Sequence, residues 1–143
     1  MSILCIDYGS KTLGIAVSDD LGMMGHGIGT IRRSTKALDF EALRRHIDRY
    51  GVDTILLGLP CNMDGSIGPA AQAVLGFAEE LKAELGLPVE TWDERLSSFE
   101  AEDRLIGADM RSKKRRKVID TVAAAIILQG YLDHKKQQEP KQP

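Results

Sequence analysis

The chain has 143 residues, of which 43% are hydrophobic and 28% charged, a globular composition at the length of one domain with enough chain for a sizeable core. No apolar run approaches the roughly 20 residues of a membrane helix. The opening Met1-Ser2-Ile3-Leu4-Cys5-Ile6-Asp7 has no basic flank and meets a carboxylate too early for a secretory signal, so secreted and membrane-spanning readings are excluded and a cytoplasmic location is expected.

In chain order the elements begin with strands. Ile3–Asp7 is a short apolar run of the kind buried on both faces at the centre of a sheet. Tyr8-Gly9-Ser10-Lys11 makes a turn, Leu13–Ser18 a second strand and Asp19-Asp20-Leu21-Gly22 a second turn. Met23–Ile31 is a third strand, and its glycines at 25, 27 and 29 suit a thin edge. Phe40, Leu43, Ile47 and Tyr50 recur at helical spacing on a helix that ends at Gly51. Asp53–Leu59 is a strand, Pro69–Gly86 a helix with Ala73, Phe77 and Leu81 on its stripe, and Pro88–Trp92 a strand. Ser97 with Glu100 forms a capping box for a helix beginning near Ser98. An alanine-rich helix follows over Lys114–His134, and the polar tail 135–143 is expected to be disordered. A three-strand antiparallel meander followed by alternating helices and strands predicts a single α/β domain over 1–134, one mixed five-stranded sheet with helices on both faces. Cys5 and Cys61 lack metal-type spacing and lie in apolar sequence, as reduced structural thiols do.

The net charge of −2 is unevenly distributed: residues 1–110 carry ten Lys and Arg against eighteen Asp and Glu, residues 111–143 nine against three. Arg111, Lys113, Lys114, Arg115, Arg116 and Lys117 form a basic cluster, which fits either a solvated helix start or a local grip on phosphates.

Three carboxylate positions carry the chemistry. Asp7 ends an apolar central strand, where a charge costs desolvation unless it reaches a cleft or a metal; a turn Asp bonded to the hairpin backbone is the plain alternative. Asp93 and Glu94 follow the last strand in the same way, with a loop salt bridge to Arg95 as their alternative. Asp120 interrupts the apolar helix Val118–Leu128 on the side shared by Ala123, Ala124 and Ile127, where a carboxylate favoured by the helix dipole is the alternative. Carboxylates from separate segments that converge on one cleft suit hard cations such as Mg²⁺ or Mn²⁺. Two such ions activate water and stabilise a leaving oxygen in phosphodiester hydrolysis. The basic run that leads into the helix of Asp120 would add phosphate contacts beside them.

Asp7-Tyr8-Gly9-Ser10-Lys11-Thr12-Leu13-Gly14-Ile15-Ala16-Val17-Ser18-Asp19 resembles the opening of the YqgF family, Holliday-junction resolvases of the ribonuclease H-like superfamily. The likeness continues through Gly58-Leu59-Pro60-Cys61-Asn62-Met63-Asp64-Gly65-Ser66, Trp92-Asp93-Glu94-Arg95-Leu96-Ser97-Ser98-Phe99-Glu100-Ala101 and Lys117-Val118-Ile119-Asp120-Thr121-Val122-Ala123-Ala124. Any one of these motifs is modestly specific, whereas four in this order are strong. The resemblance implies a ribonuclease H-like fold and a metal-dependent nuclease acting in 5′-end maturation of pre-16S ribosomal RNA. It also implies that Asp7, Glu94 and Asp120 are the catalytic, metal-binding acids, with Asp93 the competitor of Glu94. Asp7 would bridge two ions, with Glu94 and Asp120 each anchoring one side. Lys11, Asn62, Arg95 and the run Lys113, Lys114, Arg115, Arg116 and Lys117 are the expected nucleic-acid contacts, Asn62 sharing its loop with Asp64 and Ser66.

Rival readings are a sugar-kinase-like phosphate loop at Asp7-x-Gly9-x-x-x-x-Gly14, a non-catalytic ribosome-assembly factor, and a resolvase of four-way DNA junctions. The kinase-like enzymes need two such domains, and a pure binder has no use for mutually repelling acids. A resolvase that cuts two strands symmetrically is normally a dimer. The residue pattern leaves monomer and homodimer open, and RNA is favoured over DNA by the resemblance alone.

Overall fold

The computed structural model describes residues 2–96 and 112–138, with side chains except at 112–120. Within it, β1 (Ile3–Tyr8), β2 (Thr12–Ser18) and β3 (Gly25–Arg32) form the meander, followed by α1 (Lys36–Tyr50), β4 (Thr54–Leu59), α2 (Pro69–Leu85), β5 (Val89–Asp93), a 3-10 turn (Glu94–Leu96) and α3 (Ser112–Gln138). The strand order is β3-β2-β1-β4-β5. β1 lies antiparallel to β2 and parallel to β4, and β5 is parallel to β4. The centre falls to β1 and β4 because Ile3–Ile6 and Ile55–Leu57 are apolar at successive positions and bury both faces.

The sheet separates two cores. Leu4, Ile6, Leu13, Ile15, Ile55 and Leu57 meet α1 and α2 through Phe40, Leu43, Val74, Phe77 and Leu81. Ile3, Cys5, Ala16 and Leu56 meet α3 through Ala124, Ile127, Leu128, Tyr131 and Leu132. The glycines of β3 let α3 lie close: a Cβ on Gly27 would stand 2.6 Å from Thr121 Cγ2, and one on Gly25 3.0 Å from Leu128 Cγ. Gln129 fastens the contact, accepting from the Gly25 amide at 2.9 Å and donating to the Met23 carbonyl at 3.0 Å.

Helix ends follow their caps. Thr35 Oγ1 accepts from the Leu38 amide at 3.2 Å at the start of α1, and Gly51, at φ 60°, ends it. Pro69 opens α2. Two expectations change. α3 continues through Lys135 and Lys136 to Gln138, past the predicted end at His134, as cations in a last helical turn favour. Cys61 is only half-buried, in a polar loop and not in the apolar setting expected of it. The helix predicted near Ser98, with its Ser97 and Glu100 box, lies outside the described residues, as does the tail beyond Gln138.

Candidate active site

Strand alternation sets which face Asp7 uses. Ile3 and Cys5 face α3, so Asp7, two residues on, emerges on the same side at the strand's carboxyl end. It is half-buried and pairs in register with Gly14 of β2. The β1–β4 ladder pairs Ile6 with Leu57, so positions 7 and 58 sit side by side one residue further along.

Position 58 is glycine, and Glu94 uses the space. A Cβ on Gly58 would lie 2.6 Å from Glu94 Oε1 and 2.7 Å from Ile127 Cδ1. The Glu94 side chain therefore crosses β4 in a layer shared with α3. Burial first, then repulsion from Asp7 and from Asp93, push the Glu94 carboxyl up to about 7. Burial likewise pushes the Cys5 thiol well up, with Asp7 and Glu94 adding to it. These three groups form one electrostatic neighbourhood beneath α3.

Asp93, adjacent in sequence, is directed elsewhere. Arg95 Nη2 lies 2.6 Å from its Oδ2, Arg95 Nε donates to both carboxylate oxygens, and the Arg95 amide donates to Oδ1 at 2.9 Å. Those hydrogen bonds hold the Asp93 carboxyl below the usual carboxylate range. The divergence leaves Glu94 as the acid beside Asp7, and Arg95 committed to Asp93. Arg95 also reaches across to β4's exit, where Nη1 donates to the Met63 carbonyl at 3.2 Å.

The loop after β4 is closed on itself. Asn62 Nδ2 donates to Ser66 Oγ at 2.9 Å, and Asp64 Oδ1 accepts from the Ser66 amide at 2.9 Å and from Ser66 Oγ at 2.6 Å. Gly65, at φ 87°, takes a backbone conformation that side chains disfavour. Asn62, proposed from sequence as a nucleic-acid contact, is thus one of the residues that fold the loop.

Lys11 is exposed at the β1–β2 hairpin. Arg33 clamps that hairpin: Nη1 donates to the Gly9 carbonyl at 2.9 Å, Nη2 to the Tyr8 hydroxyl at 2.9 Å, and the guanidinium lies 4.5 Å from the centre of the Tyr8 ring.

Position 120 falls within α3, one turn before Ala124 and two turns before Ile127 in sequence. The side chains of Asp120, Lys113, Lys114, Arg115, Arg116 and Lys117 lie outside the described residues. Among the described residues, no three His, Cys, Asp or Glu side chains form a metal-type cluster; Asp7 and Glu94 are the members of the expected set whose surroundings are described. Sequence reasoning gave Gly58 and Met63 no role of their own and read Gly27 only as thinning an edge strand. A lone glycine inside a buried strand was the available signal for Gly58, since it often marks close approach of another group.

A mixed sheet ordered β3-β2-β1-β4-β5, with acidic residues at the ends of β1 and β5 and a long helix across that face, defines an α/β protein of the ribonuclease H-like fold. Solved structures agree. Thermus thermophilus RuvC in complex with a Holliday junction substrate superposes with a TM-score of 0.57 at 15% identity, over 95% of this chain and 96% of that one. The fowlpox virus resolvase with Holliday junction DNA gives 0.56 at 14% identity, over 94% and 99%. The chain belongs to the RuvX family, whose model, described as Holliday junction resolvase, matches residues 1–134. A relative from Geobacillus kaustophilus is 54% identical over 138 residues, covering 95% of this chain and 100% of the relative, and is named "Putative pre-16S rRNA nuclease". A Moorella thermoacetica relative of the same name is 52% identical over 133 residues, covering 93% and 95%.

Proposed function

We propose that the chain is a metal-dependent nuclease that hydrolyses phosphodiester bonds in the 5′-end maturation of pre-16S ribosomal RNA, in the cytoplasm. The observation that carries this reading is Glu94 laid over Gly58 beside Asp7, on a chain about half identical to relatives named for that activity. Among the described residues no helix is long and apolar enough to cross a membrane.

The donor set fits hard divalent cations. Two carboxylates that repel each other in a half-buried setting gain most from a cation between them. Asp7, Glu94 and Asp120 would hold the ions, Mg²⁺ or Mn²⁺ and two in number, with Asp93 the alternative ligand. When bound, such ions activate water and stabilise the leaving oxygen.

The remaining roles belong to the chain. Asp93 holds Arg95 in an ion pair, which keeps the guanidinium from neutralising Glu94. The clamp by Arg33 holds the hairpin that carries Asp7 and Lys11, and Lys11 is available to a substrate phosphate. The run Lys113–Lys117 supplies further phosphate contacts beside position 120.

Replacing Asp120 with Asn tests the acid that sits on α3. Cleavage of a 5′-extended pre-16S fragment in Mg²⁺ is expected to disappear, with thermal unfolding nearly unchanged. Full activity in that variant would remove Asp120 from the site. A second reading, resolution of four-way DNA junctions, is favoured by the family's description. It calls for paired nicks by a dimer, which sedimentation combined with junction cleavage detects.

A further inference from the structure

The loop between β4 and α2 spends its polar groups on itself and holds an apolar side chain out into solvent. Asn62 bonds Ser66, Ser66 bonds Asp64, the Gly65 amide donates to the Asn62 carbonyl at 2.8 Å, and the Asn62 amide donates to the Ser66 carbonyl at 3.0 Å. The Met63 carbonyl is taken by Arg95. The Met63 side chain is 93% exposed, the largest exposure of any large hydrophobic among the described residues. Ile67, on the same loop, is 42% exposed.

A single exposed methionine on a surface needs no explanation. Met63 differs in two respects. Its backbone is braced from both directions, by the loop's own bonds and by Arg95, so the side chain is presented from a fixed base. The brace comes from the residue next to Glu94, which puts the loop at the same end of the sheet as the acids, where the carboxyl ends of β1, β4 and β5 lie. With 5% aromatic residues in the chain, stacking on exposed rings is scarce, and a polarisable thioether makes favourable contacts with aromatic faces such as that of a base.

We propose that Met63 is a specificity residue that packs against an unstacked base of the nucleic-acid substrate, so that the enzyme prefers strands with an unpaired or broken stack next to the cleaved phosphate over continuous duplex. Apolar side chains, methionine among them, insert between base steps and unstack them in other nucleic-acid-binding proteins. The inference rests on the nuclease reading and names the substrate feature that the same site selects.

The test uses the full chain with Asp7→Asn, to bind without cutting, and a stem-loop RNA with a single-stranded 5′ extension. 2-Aminopurine replaces, in turn, each unpaired nucleotide flanking the position cut by the unmodified enzyme. Binding is expected to change the emission at one of these positions. Adding Met63→Ala should abolish that change and weaken binding about tenfold, toward the lower end of what a base-stacking contact contributes. Met63→Leu should retain most of both, and affinity for blunt duplex RNA should be the same in all three proteins. Equal emission and affinity with and without Met63→Ala overturns the role of Met63 and leaves the nuclease reading standing. If the unmodified enzyme cuts none of these RNAs and the Asp7→Asn protein binds none, both readings fall. Because Met63 is exposed, loss of the fold does not explain a loss of signal, and matched thermal unfolding of the variants checks this.

Discussion

At position 58 a methyl group would meet Glu94 Oε1 at 2.6 Å and Ile127 Cδ1 at 2.7 Å, so Gly58→Ala must displace the carboxylate, the helix or both. Overpacking of this kind costs about 1–3 kcal/mol, and the displaced group is an acid on which the proposed chemistry depends. Cleavage is expected to fall at least tenfold while urea unfolding shows a loss in that range; wild-type turnover with wild-type stability would show that Glu94 is not held by this contact. At the same scale, sequence left open whether Asp93 or Glu94 joins Asp7. Both follow a strand and both are acidic, and the choice depends on the fork that Arg95 makes with Asp93. No spacing rule encodes that fork, because it arises from the path of the 3-10 turn. Asp7 was legible for the opposite reason: a carboxylate directly after four buried apolar residues has few structural uses.

The contact between α3 and β3 is where one element fixes the position of another. Gly27→Ala would put its Cβ 2.6 Å from Thr121 Cγ2 and 3.0 Å from the Thr121 carbonyl oxygen, lifting the helix that also carries position 120. The variant is expected to lose about 1–3 kcal/mol of stability. Thr121→Ala in the same chain should recover part of that loss by removing the methyl contact, so unfolding of the double variant should be less costly than the sum of the singles; simple additivity would contradict the close approach. Most elements were legible from their periods. The apolar runs of β1 and β4 marked the centre of the sheet, and the glycines of β3 marked its edge. What the pattern missed was the purpose of those glycines. They were read as a weakness of a thin strand, whereas they admit the helix. Helix ends were legible at Gly51 and Pro69, where a glycine or proline makes the break, and less so at the end of α3, where Lys135 and Lys136 continue the helix.

Across the whole molecule, an acidic body joined to a basic run gives a substrate-binding energy that should depend steeply on salt through a few residues. Replacing Lys113, Lys114, Arg115, Arg116 and Lys117 with Gln is expected to weaken RNA binding. It should also make the plot of log affinity against log salt shallower by about 0.7 for each single-strand phosphate that the protein no longer neutralises. An unchanged slope in filter binding would assign the run to the solvated helix start instead. The fold class, one mixed five-stranded sheet with helices on both faces, followed from the order of elements. The complete acidic site did not, because its third member depends on how α3 is seated.

The most direct test of the central claim is a cleavage assay of the wild type beside Asp7→Asn. Structured pre-16S RNA, single-stranded RNA and a four-way DNA junction are each offered with Mg²⁺, Mn²⁺ or chelator. Metal-dependent cutting of the ribosomal RNA precursor that vanishes in Asp7→Asn is the predicted result. Binding without cutting by the wild type under every metal would contradict the account and leave an assembly factor in its place.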